Sequence, residues 1–551
     1  MNTFLFRKPS RWDFLALALF TAFITFQPFF LHHEIIMMET GIHLPAINAL
    51  FHGQVPYRDF FFLRGPVELY VPAAMMKLWG VNSALLPFFY YGGTLLTLLL
   101  AVLLAGKFFQ TRLVFYSMVL AFVARTFPRI SYYYWGGLRY AMGFFVLLCL
   151  FYFFKTQQRR YMFLTGVFCA LSALTTPEAG ISTVFGVAAA LFFVWFFRVE
   201  QKRPVTDTFL MFIAGAAVVA VPYVLYLAMT GSLMPFLESN YAVCMFNGKA
   251  YPGAAGIKPE TPLEFLIALV PGTKFFKYMG PAWCYIFFAG FLWHKARHKK
   301  LDRMHAFLVG VAGYGLVLYT AAFRKIEGHH FEMALQAEKF IYFFMIEAAM
   351  LYILAMGHRA VAAIVGAAVL VSSAVYAIPR FSHRFVTFKL IEKTVFHKKV
   401  KGLSFLEGQD IVRLDMDRVR GHVVPRWQEE EIRGVTEFLK EHTRLDEAVF
   451  CYPEVGNFNF WADRPFVGRF PIPTFTWMYG PWQEELWNDL QKAKPHYVVM
   501  THVGHRTFPA QWYFRNLNNK IRFDQITAYI LTNYAPVKTF EAVSVYERKS
   551  P

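Results

Sequence analysis

Residues 14–43 read FLALALFTAFITFQPFFLHHEIIMMETGIH. The first part, 14–31, is long and apolar enough to enter a bilayer, and Arg7, Lys8 and Arg11 precede it as they would a signal sequence. No small-x-small cleavage site follows, so the run reads as an uncleaved first span. The second part threads Glu34, Glu39 and three histidines through Ile and Met. A solvated loop would be rich in Ser, Gly, Lys and Asn. This stretch holds acid groups against a greasy boundary, which points to a membrane protein with its chemistry at a membrane exit.

The rest of the chain agrees. Its 551 residues are 56% hydrophobic and 19% aromatic, with only 17% charged. That is too apolar for a soluble protein of this length, and apolar runs of about 20 residues recur. The formal charge of +19 sits in short clusters between those runs, where it marks topology and headgroup contact. No nucleic-acid motif accompanies it, so the bilayer is the expected partner and nucleic acid is not. Of the five cysteines, Cys149, Cys169 and Cys284 lie in apolar runs as packing residues. Cys244 and Cys451 fall in outer segments, where pairing is the lesser alternative.

Roughly eleven spans are expected, beginning near residues 13, 85, 113, 139, 161, 179, 207, 280, 304, 339 and 360. Alternate connections read KFFQTR, KTQQRR, FRVEQKR, HKARHKKLDR and GHRA. They are short and basic, hence cytoplasmic, together with the N-terminus. The opposite set, residues 32–84, 126–138, 231–279 and 323–338, is longer and richer in acids. It faces the periplasm or a lumen. Composition divides the chain into a transmembrane part, 1–378, whose first outer loop spans 32–84, and a soluble tail, 379–551. In the tail, EEEIRGVTEFLKEH is amphipathic, with Ile432, Val435, Phe438 and Leu439 on one face. AVFCY, YVVMTH and AVSVYER read as strands, and a helical ITAYILTNY precedes the last pair. The expected architecture is an α-helical polytopic membrane protein with a C-terminal extramembrane α/β domain.

The spans hold few ionisable residues, unlike those of proton-coupled transporters, and no matching pair of broken helices appears. Glu347 is an exception and reads as a helix-packing residue. Acids and bases cluster instead in the outer loops. In the first of these, Glu39 and His43 are four apart and would share a helical face. Glu34, five before Glu39, points elsewhere. Gly53 and Pro56 would end the helix. Asp59 and Arg64 follow in an aromatic extended segment before Pro66 starts another helix. For Asp59, an ion pair with Arg58 or Arg64 competes evenly with a functional role.

The order acid–x–Gly, a helix of about a dozen residues, then GQVPYRDFFFLRGPVELY (53–70) resembles the GT-C superfamily of membrane glycosyltransferases. Within it, the sequence is similar to bacterial relatives of the dolichyl-phosphate-mannose protein mannosyltransferases and of the lipid A aminoarabinose transferase. LSALTTPEAGI (171–181) and FRKIEGHHF (323–331) resemble further family segments, and the tail resembles the family's outer domain. The resemblance implies that the family's catalytic Asp falls on Glu39, with Thr40 in place of its usual acidic neighbour. It also implies an inverting transfer of a sugar from a polyprenyl-phosphate donor to an acceptor hydroxyl on a glycolipid, polysaccharide or protein, outside the cytoplasmic membrane. Glu39 would be the base, ahead of Asp59, with His43 orienting it. The anionic leaving group needs cations. Arg64, Arg139 and Arg324 are the first candidates, with Lys325, Arg129 and Lys274 behind them and His329 and His330 as further donors. No residue spacing compels a cofactor; a divalent metal held by Glu39, His43 and His329 is an open alternative. The competing classes are a transporter or flippase for a lipid-linked intermediate, and a non-catalytic assembly protein.

Overall fold

The computed structural model describes residues 4–26, 34–126, 136–250, 261–273, 276–323, 328–395, 397, 410–475, 478–503 and 516–550. They form two compact units. One comprises Met1–Gln27, Tyr90–Val221 and Ala254–Lys401; the other comprises Pro28–Phe89, Pro222–Gly253 and Gly402–Pro551.

A helix lies at each of the eleven places where a span is expected. Six are long and apolar enough to cross a membrane by themselves: Leu85–Phe108, Leu138–Thr156, Pro177–Phe196, Val205–Met229, Arg303–Ala322 and Arg359–Phe381. The chain is a multi-pass membrane protein. Arg11–Thr25, Arg112–Thr126 and Arg159–Ala173 have 15 residues each. At 1.5 Å per residue each is about 22 Å long, short of the roughly 30 Å hydrocarbon core.

The core of the first unit is aromatic. The rings of Phe122, Phe144 and Phe340 meet pairwise at 5.6–6.2 Å, two of the pairs in the edge-to-face geometry that aromatic quadrupoles favour. Glu347, in helix Ala337–Ala355, is buried. Its carboxylate accepts from the backbone N–H groups of Gln110 and Thr111 at 2.9 and 2.8 Å and from the Thr111 hydroxyl at 2.8 Å. It therefore caps the helix that starts at Arg112, whose first N–H groups have no partner inside that helix.

The second unit is built from distant pieces of chain. Strands β1 (Ile411–Arg413) and β2 (Val423–Pro425) form an antiparallel ribbon. Strands β3 (Phe450–Tyr452), β4 (Tyr497–Thr501), β5 (Tyr534–Thr539) and β6 (Val543–Arg548) form a mixed sheet in the order β3-β4-β6-β5. Only β3 and β4 run parallel, and both are buried along their length. The helix Arg426–His442 buries Ile432, Val435 and Leu439 of the expected face, while Phe438 is only half-buried. The expected helix before the last strand pair is Leu517–Asn533. Pro379, where the composition changes, lies inside helix Arg359–Arg384.

Residues of the first outer loop enter this unit's core. The Phe61 ring packs on Trp482 at 4.6 Å, and its N–H donates to the Arg469 carbonyl at 2.7 Å. Loop and tail thus fold as one body. Cys149, Cys169, Cys284 and Cys451 are free thiols, so Cys244 and Cys451 are not paired.

Candidate functional site

The segment carrying Glu39 is two short helices, Met37–Gly41 and Leu44–Phe51, where the sequence suggested one continuous helix. Pro45 is the cause. It lacks an N–H, and its ring would meet the carbonyl four residues back, that of Gly41, which disfavours a continuous helix and suits the first turn of a new one. Glu39 and His43 therefore do not share a face of one helix. The second helix ends as Gly53 predicts: Gly53 takes φ +80°, and the N–H groups of Gly53 and Gln54 donate to Leu50 and Ala49 at 3.1 and 3.0 Å. This is a Schellman closure.

Glu39 is only 5% exposed. Its short helix is held from both ends by the tail. Gln428 clamps the backbone of Ile35, accepting from its N–H at 2.7 Å and donating to its carbonyl at 3.0 Å. The Asn457 amide donates to the Thr40 hydroxyl at 2.7 Å. A Cβ on Gly41 would sit 2.8 Å from Ile472 Cδ1 and 3.0 Å from Asn457 Oδ1, so a side chain there would displace the clamp. The Gly of the acid–x–Gly pattern is a packing requirement.

A second buried carboxyl belongs to the same unit. Glu454, in the turn after β3, is 4% exposed and sits in the left-handed region at φ +62°. Burial and, second, the charge of Glu39 push its carboxyl up to about 8, offset in part by the Thr474 hydroxyl. At neutral pH Glu454 therefore holds a proton. Sequence reading missed Glu454, Gln428 and Asn457. The only local signal is YPEVGN (452–457), a turn sequence that carries an acid.

His43 is fully buried, with its ring edge-on to Phe62 at 5.3 Å. Burial and the nearby Arg64 charge hold it well below the ordinary histidine range, so it is a neutral imidazole. Arg64 is 8% exposed; its Nη1 lies 3.4 Å from Glu68 Oε2, and its carbonyl accepts from the Tyr57 hydroxyl at 2.9 Å. Asp59 serves a turn. Its carboxylate accepts from the Val55 N–H at 2.7 Å and from Arg58 Nε and Nη2 at 2.7 and 2.8 Å. The Arg58 bonds lead in holding it below the usual carboxylate range. Of the two arginines weighed as ion-pair partners for Asp59, Arg58 makes the pair.

Glu39, His43, Asp59 and Arg64 all belong to the unit that contains the tail. Arg139 belongs to the other, in the first turn of Leu138–Thr156, with its guanidinium 4.8 Å from the Tyr140 ring centroid. Arg129, Lys274, Arg324 and Lys325 lie outside the described residues. His329 and His330 fall in helix Gly328–Ala334, with side chains outside them. Among the described residues no group of three or more His, Cys, Asp or Glu gathers as a metal site.

The fold is shared with solved structures of an ArnT and of an archaeal oligosaccharyltransferase. It is similar over 97% of this chain and 97% of that chain to ArnT from Cupriavidus metallidurans bound to undecaprenyl phosphate, with TM-score 0.52 and 13% identity. The apo state of the same enzyme aligns with TM-score 0.51 and 13% identity over 97% of this chain and 96% of that one. The Archaeoglobus fulgidus oligosaccharyltransferase in complex with Zn and sulfate aligns with TM-score 0.53 and 14% identity, over 96% of this chain and 72% of that one. No protein-family model and no curated protein matches the sequence.

Proposed function

We propose that this protein is an inverting glycosyltransferase. It moves a sugar from a polyprenyl-phosphate carrier to an acceptor hydroxyl on a glycan, glycolipid or protein, at the outer face of the cytoplasmic membrane. The observation that carries the reading is the seat of Glu39: a buried acid in the first outer loop, fixed by the tail, within a GT-C fold. The bound undecaprenyl phosphate of ArnT supports a lipid-phosphate donor. Glu39 removes the acceptor proton as the acceptor oxygen attacks the anomeric carbon. The bond from that carbon to the phosphate oxygen breaks on the opposite side, and the lipid phosphate leaves with the electron pair. That anion needs cations, for which Arg64 is one candidate and Arg139, Arg324, Lys325, His329 and His330 are others. His43, being neutral, adds no charge that would lower the basicity of its neighbours. Positive-inside loops support a cytoplasmic N-terminus and an external tail.

The test uses purified protein in nanodiscs, a synthetic polyprenyl-phosphate-linked labelled sugar and membrane glycolipids as acceptors, with surface glycans compared in a deletion strain. Labelled product and a missing glycan modification are expected. No transfer, together with unchanged glycans, would sink the reading and leave transport of a lipid-linked intermediate as its successor.

A further inference from the structure

The short helix Pro262–Ala268 lies in the chain between the long span Val205–Met229 and the helix Ala282–Arg297, and its apolar face is turned outward. Thr261 caps it, its hydroxyl accepting from the Glu264 N–H at 3.2 Å. Pro262 takes the first position, where a missing N–H costs nothing. The N–H groups of Leu269 and Val270 add one tighter turn, donating to the Leu266 and Ile267 carbonyls at 3.2 and 2.9 Å. Leu263, Leu266, Ile267 and Val270 are between 49% and 66% exposed. Their i, i+3, i+4, i+7 spacing confines them to an arc of about 100°. On the other side Ala268 is buried and Glu264 half-buried. In water this arrangement is unfavourable twice over. A surface helix of a soluble domain turns such a stripe inward, and two turns of helix have no stability of their own.

The chain nevertheless fixes this helix in place. Trp283 Nε1 donates to the Leu269 carbonyl at 2.7 Å, which ties the last turn to the start of Ala282–Arg297, in the same unit. The Trp283 ring stacks on Phe287 at 5.4 Å. Ala282–Arg297, at one of the expected span positions, exposes Ile286, Phe287 and Trp293 along its length. Through Trp283 the outward stripe is therefore attached to a second apolar surface, in a multi-pass membrane protein. An indole at such a junction is in the setting where Trp gathers, the boundary between lipid and water. That continuity with the bilayer selects lipid as the occupant of the stripe. Residues 261–273 contain one acid, Glu264, and no base, so the attraction is apolar and does not call for anionic headgroups.

We infer that Pro262–Ala268 is an interfacial helix that does not span the membrane, and that Leu263, Leu266, Ile267 and Val270 dip into the acyl boundary of one leaflet. The inference does not depend on the transferase reading. The test uses the full-length protein in phosphatidylcholine nanodiscs, with the partly exposed Cys244 and Cys284 replaced by alanine and the buried thiols left in place. A spin label is attached at Leu263→Cys, Leu266→Cys or Val270→Cys, one at a time. A label at Glu441→Cys, exposed on the tail helix Arg426–His442, is the reference for water. Power-saturation EPR compares collisions with oxygen, which concentrates in the acyl region, and with a water-soluble nickel chelate. The three stripe labels should gain oxygen accessibility and lose nickel accessibility relative to the Glu441→Cys label, at the melting temperature of the unlabelled protein. Nickel accessibility equal to that reference would overturn the inference. So would low access to both reagents, which would place protein rather than lipid on the stripe. Three independent positions keep the test decisive if one label unfolds the chain.

Discussion

The amide of Asn457 donates a 2.7 Å hydrogen bond to the hydroxyl of Thr40, the residue that follows Glu39. Both partners are buried, so the tail sets the position of the proposed base directly. Asn457→Leu keeps the volume and removes the donor. Loss of one such bond costs about 0.5–1.5 kcal/mol, so the melting temperature should fall modestly. Turnover should fall by more than that stability loss suggests, with kcat affected before KM. Equal effects on stability and kcat would reduce Asn457 to a packing residue.

Glu39→Gln preserves the shape and removes the proton acceptor. Transfer should drop by about 10²–10⁴-fold while donor binding survives. Asp59→Asn should act on stability instead, because Asp59 closes its turn through Val55 and pairs with Arg58. Steady-state kinetics of both variants check the assignment, and the reverse pattern would pass the base to Asp59.

Glu454 gives the second unit a pH dependence whose sign can be worked out. Its carboxyl rises from an ordinary 4.5 to about 8 on folding. Below both values the proton is bound folded and unfolded alike. Between them only the folded chain keeps it, so stability is lost progressively as pH rises from about 4.5 to about 8 and is flat above. Thermal melts at pH 5, 7 and 9 should show this decline, and Glu454→Gln should flatten it, melting higher than wild type at pH 9.

Arg64 and Glu68 form a buried pair. Glu68→Gln leaves a buried arginine without its countercharge and should destabilise by about 3–5 kcal/mol. Arg64→Lys keeps the charge but not the fork that grips phosphate. It should weaken donor binding at nearly unchanged melting temperature. Unaltered donor affinity would make Arg64 a structural partner of Glu68 and nothing more.

Much of the fold was legible because it rests on local periodicity. Hydrophobic runs place a helix at each of eleven positions, and short apolar, β-branched and aromatic runs in the tail locate β3, β4 and β6. The Gly53 closure was also readable, since few residues other than glycine accept its backbone. The site was legible only in its first half. Glu39 is marked by its surroundings, whereas Gln428, Glu454 and Asn457 reach it from about 400 residues away in ordinary amphipathic and turn sequences. The broken helix was visible in Pro45, whose clash with Gly41 outweighs the regular spacing of Glu39 and His43.

Gln428 and Ile35 clamp each other across 393 residues of chain, which has a consequence for biogenesis. The loop bearing Glu39 is synthesised before the tail, and it must wait, without these partners, until Gln428 and Asn457 have followed. Contacts this distant in sequence form late. A chain halted after residue 401 would keep the six long apolar helices among the described residues and still hold an unassembled Glu39, so maturation of the site is timed by the arrival of the segment bearing Gln428 and Asn457.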